Sequence, residues 1–213
     1  MKRHLLVLLF ALSFTLPLHS ETIKFYADSM SGNASEKSGY TTLTGNAHII
    51  TETMEIFADS IELSGTDFRF ITASGNIHGT NSESGMTFTC NKMSYDRDTK
   101  IATLEGNVTL NDTENGVTAQ AQRIEYDDLA HIAVMQISIT LKQKDNTCTA
   151  SYAIYRKDEQ MLTLEGNPQV TQNTDTFRAQ QIVLNLDTQE ITLDGRVRGS
   201  VTVTKTQEEE AHE

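Results

Sequence analysis

A glycine followed by asparagine recurs along this chain at a nearly constant interval, and that interval restricts the fold more than any other feature. The pair stands at Gly45-Asn46, Gly75-Asn76, Gly106-Asn107 and Gly166-Asn167, and Gly195-Arg196 continues the series. Successive glycines are separated by 30, 31, 60 and 29 residues. The double interval holds a degenerate copy, Ala133-Val134-Met135-Gln136-Ile137-Ser138-Ile139, which keeps the apolar alternation and lacks the glycine. About six copies of one unit therefore run from Ile23 to about Val203, the mark of a repeat architecture.

Around each marker the pattern has period two. Leu43, Ala73, Leu104, Leu164 and Leu193 stand two residues before the glycine, and Ala47, Ile77, Val108, Pro168 and Val197 stand two after it. Polar residues such as Glu105, Glu165 and Asp194 fall between them and point to the opposite face, which describes a half-buried strand rather than a helix. A second strand signal lies upstream in most copies, as in Phe57–Leu63, Cys90–Asp96, Ala121–Asp127 and Ala179–Leu184. Polar turns such as Asp96-Arg97-Asp98-Thr99 and Leu186-Asp187-Thr188-Gln189 separate the two strands of a unit. Beyond residue 20 the one proline, Pro168, takes an apolar marker position and marks a bulge or an edge.

One such unit cannot bury its apolar face alone, so the copies must stack and share an interior. The expectation is an all-β sandwich, jelly roll or solenoid whose terminal strands are unpaired and open to another chain. Residues 1–20 have the layout of a cleaved secretory signal: Lys2, Arg3 and His4, an apolar stretch from Leu5 to Leu16, then Leu18-His19-Ser20 before Glu21. The repeat domain then covers 21–204, and residues 205–213, with Glu208-Glu209-Glu210, form a solvated acidic tail. Export places the protein outside the cytoplasm, and in the periplasm if the cell has an outer membrane.

The formal charge of −12 becomes −14 once Lys2 and Arg3 are removed, which disfavours nucleic acid as a partner. Cys90 and Cys148 occupy one strand face two copies apart, too far for a bridge at about 4.8 Å per strand, and read as buried free thiols. His48 and His78 share a register on the polar face and lack a third ligand, so they read as surface residues rather than a metal site. Asp28 and Asp59 share an Ala-Asp-Ser context without a recurring acid–base partner and read as strand-end or turn carboxylates rather than a catalytic pair. The sequence offers no nucleophile elbow, phosphate-binding glycine loop or cysteine ligand cluster, and suggests neither a catalytic residue nor a cofactor.

The run Leu43-Thr44-Gly45-Asn46-Ala47-His48-Ile49, with Ile56-Phe57-Ala58-Asp59-Ser60-Ile61-Glu62-Leu63, resembles the OstA-like repeat of the LptA family of periplasmic lipopolysaccharide-transport proteins. Ile23-Lys24-Phe25-Tyr26-Ala27-Asp28-Ser29-Met30 is similar to that family's first strand, and the copies at Leu104–Val108 and Leu164–Asn167 extend the likeness. The resemblance implies an open, slightly twisted β-jelly roll of antiparallel strands that shields the acyl chains of lipopolysaccharide or a related glycolipid. It also implies end-to-end self-association, an LptC-like inner-membrane partner and an LptD-like outer-membrane translocon.

Strand parity nominates Leu43, Ile49, Ile61, Ile71, Ile77, Phe88, Met93, Leu104, Val108, Leu110, Ile124, Leu164, Ile182 and Leu193 as the groove wall. The same parity suits ordinary core packing, which any such fold needs. The end-to-end interface is expected at Ile23, Phe25 and Tyr26 on one side and Val197, Val201 and Val203 on the other. Two other readings stand beside the lipid bridge: a scaffold module that joins proteins through its strand edges, and a carbohydrate-active β-repeat enzyme.

Overall fold

The structure, a computed structural model, describes residues 22–33 and 39–203. The expected signal segment and acidic tail lie outside the described residues. Sixteen strands form one antiparallel sheet. Two short strands, β1 (Lys24–Tyr26) and β2 (Ser29–Gly32), both pair with β3 (Thr41–Ile50). A meander follows: β4 (Met54–Ser64), β5 (Phe70–Asn81), β6 (Met86–Asp96), β7 (Ile101–Asp112), β8 (Val117–Asp127), β9 (Ile132–Gln143) and β10 (Asn146–Arg156). From β3 to β10 each strand pairs with its neighbours in sequence.

The last copies are broken into shorter pieces: β11 (Met161–Glu165), β12 (Gln169–Gln172), β13 (Asp175–Arg178), β14 (Gln181–Asn185), β15 (Ile191–Asp194) and β16 (Arg198–Ser200). Here the sheet forks. β11, β14 and β15 continue one half of β10, while β12, β13 and β16 continue the other. The fork begins at Gly166-Asn167-Pro168, where the expected irregularity interrupts the strand. Proline has no N–H to offer a ladder, so the break falls where pairing is chemically impossible.

The repeated glycine supplies a corner. In β3 the register with β4 jumps from Thr44↔Ser60 to Ala47↔Ala58, so Gly45 and Asn46 face the single residue Asp59. Both bulge residues are left-handed, at φ 76° and 45°. Glycine is required first: a Cβ on Gly45 would lie 2.5 Å from Asp28 Oδ2, and one on Gly75 would lie 2.2 Å from Asp59 Oδ2. Asparagine tolerates the left-handed region, and here its amide donates to the same carboxylate, Asn46 to Asp28 at 3.0 Å and Asn76 to Asp59 at 2.9 Å. The recurring aspartates thus have a structural role at the corner. The degenerate copy keeps the bulge without the glycine, holding Ile137 at φ 67° and Ser138 at φ 55°.

These bulges change the reading of strict alternation. In β3 the buried positions step from Leu43 to Ala47, an even shift that preserves parity. In β4 they run Met54, Ile56, Ala58 and then Ile61, Leu63, an odd shift that reverses it. One face of every long strand is nevertheless apolar except at its ends, and Leu43, Ile49, Ile56 and Ile61 are fully buried. The described residues contain no α-helix, so only the sheet itself can cover them. The halves on either side of the corner fold over each other, bending the sheet into two facing layers around one core.

Candidate functional site: the enclosed interior and its ends

The interior is built residue by residue from the inner face. All the nominated wall residues from Leu43 to Ile182 are buried, and Leu193 is half-buried. The core they join is continuous from Leu43 to Leu186. Parity also predicts an inward Val197, but this side chain is 54% exposed, because the terminal strand has no further copy to cover it. The two layers meet closely. The gap between Met54, Met86, Phe88, Tyr95, Leu104 and Tyr126 is about 20 Å³, room for about one water.

Sequence reasoning missed the tyrosines of the inner margin. Tyr95, Tyr126 and Tyr155 are buried near the ends of β6, β8 and β10. Tyr95 and Tyr126 fall in the strand signals Cys90–Asp96 and Ala121–Asp127, Tyr155 outside them, and the roughly thirty-residue recurrence of the three was the available clue. Burial raises the Tyr126 and Tyr155 phenols above their ordinary range. Tyr155 Oη donates to Asp112 Oδ2 at 2.7 Å and receives a hydrogen bond from Asn115. Lys157, only 7% exposed at its side chain, lies 3.7 Å from Asp112 and also donates to Glu114. Burial lowers its pKa, but Glu114, Asp112 and Asp158 together outweigh that effect and keep the ammonium charged.

Cys90 and Cys148 are free and buried. Burial pushes the Cys90 thiol up to about 11 and the Cys148 thiol up to about 12. On the outer face, His48 and His78 are more than isolated surface residues. Tyr26, His48, Phe57 and His78 stack across four neighbouring strands, with successive ring centroids 5.4, 4.0 and 4.6 Å apart. His48 also bonds Glu55 at 2.9 Å. Among the described residues no cluster of three potential ligands is placed to hold a metal.

Both ends of the sheet present unpaired strands. Among the described residues β1 pairs only with β3, β15 only with β14, and β16 only with β13. Exposed apolar side chains accompany them: Phe25, Tyr26, Met30 and Tyr40 at one end, Val197, Val201 and Val203 at the other. Ile23 is half-buried against the core. Among the described residues no helix is long and apolar enough to cross a membrane.

A corner-bulged meander with an apolar interior and open ends defines a class of repetitive β-jelly rolls. The family model described as "LptA/(LptD N-terminal domain) LPS transport protein" matches residues 26–161 and 89–190. The chain belongs to that family. It is also similar to the crystal structure of LptH from Pseudomonas aeruginosa, described as the LptA-homologous periplasmic component of the conserved lipopolysaccharide transport device. That match has 11% identity, covers 85% of this chain and 96% of the other, and has a TM-score of 0.25. A search of curated proteins gives no match.

Proposed function

We propose that this protein is a periplasmic bridge component that shields the acyl chains of lipopolysaccharide, or a related glycolipid, between its two sheet layers during transport to the outer membrane. The supporting observation is the continuous apolar core from Leu43 to Leu186, ending in unpaired strands that a partner of the same fold can extend. Each buried methylene contributes about 0.8 kcal/mol, so a chain of about a dozen carbons strongly prefers such an interior to water. Passage between equivalent interiors changes little net free energy, and direction must come from an outside energy source. In this reading Phe25 and Tyr26 meet Val197, Val201 and Val203 of a neighbouring unit, or the corresponding edge of an LptC-like or LptD-like partner. The role is that of a carrier rather than a catalyst.

The test is photo-crosslinking in the cell envelope with a probe at Ile77, at Leu104 or at Glu105. The first two residues face inward, while Glu105 is exposed on the outer face. Lipid adducts at Ile77 and Leu104 and none at Glu105 are expected. Protein adducts alone, at all three positions, would favour a scaffold that joins proteins by its edges. The narrow interior suits that second reading.

A further inference from the structure

Folding a sheet over itself brings its two long margins together opposite the corner. One margin carries the turns after β3, β5, β7 and β9, and the other carries those after β4, β6, β8 and β10. Each margin is stitched along its length by backbone hydrogen bonds. Ser82 N donates to Thr53 O and Thr113 N to Gly85 O on the first margin, Asp128 N to Lys100 O and Lys157 N to His131 O on the second. Among the described residues, none of the backbone–backbone hydrogen bonds crosses from one margin to the other. Side chains make the crossing.

The crossing groups follow the repeat. Asn81, Asp112 and Gln143 end β5, β7 and β9 at intervals of 31 residues, and all three are buried on an otherwise apolar face. Asn81 Nδ2 donates to Asp128 Oδ2 at 2.7 Å. Asp112 holds Tyr155 and Lys157, as described above. Gln143 Nε2 donates to Leu186 O at 2.9 Å, and beside it Asn146 donates to Gln189. Turn formation uses only part of this chemistry. Asn81 Oδ1 accepts from the backbone of Glu83 and Ser84, and Asp112 Oδ1 from that of Glu114 and Asn115, while Asn81 Nδ2 and Asp112 Oδ2 reach across.

We propose that this seam is a lateral gate through which an acyl chain enters the interior sideways, its polar head remaining at the margin. The proposal rests on the lipid-carrier reading above. The gap beside the Asn81–Asp128 contact, about 20 Å³, has no room for an acyl chain, so the layers must part there to admit one. Parting at the corner would break the backbone ladder of every strand, whereas parting at the seam releases a few polar side-chain contacts to water and bares apolar faces that the incoming chain itself covers. Water solvates those polar groups nearly as well as their partners do. Asp128 Oδ1 and Asn146 Oδ1 are buried at the seam without a hydrogen-bond partner, so opening satisfies them and lowers its own cost.

The test locks the seam with a reversible crosslink. The full chain carries Asn81→Cys/Asp128→Cys or, independently, Asn146→Cys/Gln189→Cys. A control pair, Thr72→Cys/Ser94→Cys, joins two exposed register partners on the outer face. Uptake of fluorescently labelled dodecanoic acid is followed before and after oxidation, with circular dichroism checking the fold. Oxidation of either seam pair should slow uptake by at least about tenfold, reduction should restore it, and the control should not respond. Equal uptake by oxidised and reduced seam pairs would overturn the gate and leave the lipid reading standing, with entry through the ends. Failure of the unaltered protein to take up the probe, or an acyl glycolipid offered in parallel, would overturn the lipid reading and the gate with it.

Discussion

The middle of the sheet and its C-terminal end are built from the same repeat, yet they meet its corner differently. From β5 to β10 the strands are 11 or 12 residues long and pass the corner unbroken, held on both sides by their neighbours. After Gly166 the pieces are three to five residues long, and the two layers continue as separate ladders. Side chains follow suit: Leu104 and Ile124 are buried, Ile191 and Leu193 half-buried, and Val197 and Val201 exposed. The same pattern yields a core only where a copy lies on each side. The end leaves its interior partly uncovered, which the middle does not.

Charge on the inner face should break this contrast most severely. Leu104→Asp buries an unpaired carboxylate and should cost more than about 4 kcal/mol, abolishing the cooperative urea transition seen by circular dichroism. Val201→Asp, at a position 61% exposed, should stay within about 0.5 kcal/mol of the parent. Equal losses would mean that the end is as well packed as the middle.

Lys157→Met comes next, because it strands Asp112 at the buried seam. It should cost about 3 kcal/mol in urea unfolding, and combining it with Asp112→Asn should recover most of that loss. The corners offer a smaller, two-signed test. Gly75→Ala introduces a Cβ at φ 76° against Asp59 and should destabilise by about 2 kcal/mol. Ile137→Gly removes a β-branched residue from φ 67° and should stabilise by about 1 kcal/mol in thermal melts.

The finest tests are titrations. The Cys90 and Cys148 thiols, raised to about 11 and about 12 by burial, should resist an aromatic disulfide reagent at pH 8 until urea unfolds the middle strands. Prompt labelling of the native protein would mean that the core opens locally. At the turn after β6, the hydrogen bond from Arg69 holds Asp96 well below the usual carboxylate range. A depressed folded value makes its contribution fully present above the unfolded value near about 4 and lost as the pH falls further. Arg69→Gln should therefore narrow the stability difference between neutral and acid pH, read from urea midpoints.

Much of this architecture is legible in the sequence because the corner needs a rare backbone conformation. Two successive left-handed residues select glycine and asparagine, and their spacing reveals the strands before any contact is known. Inner residues of the marker strands follow, since the step from Leu43 to Ala47 preserves parity. The partner strands conceal more: the odd step from Ala58 to Ile61 reverses parity where the sequence carries no glycine. The seam was also hidden. Asn81, Asp112 and Gln143 repeat in register, but their chemistry belongs equally to turns, and only the fold places them against the second margin. The stack of Tyr26, His48, Phe57 and His78 required knowledge of the pairing of four strands.

The neighbour-by-neighbour order of the strands has a consequence for size. Each repeat adds two strands, or about 10 Å along the stacking direction, and touches mainly the copies before and after it. Duplication or loss of one such segment alters the reach of the molecule while leaving the remaining corners in place. Span is therefore an adjustable dimension, set in steps of that length by counting copies rather than by redesigning a core.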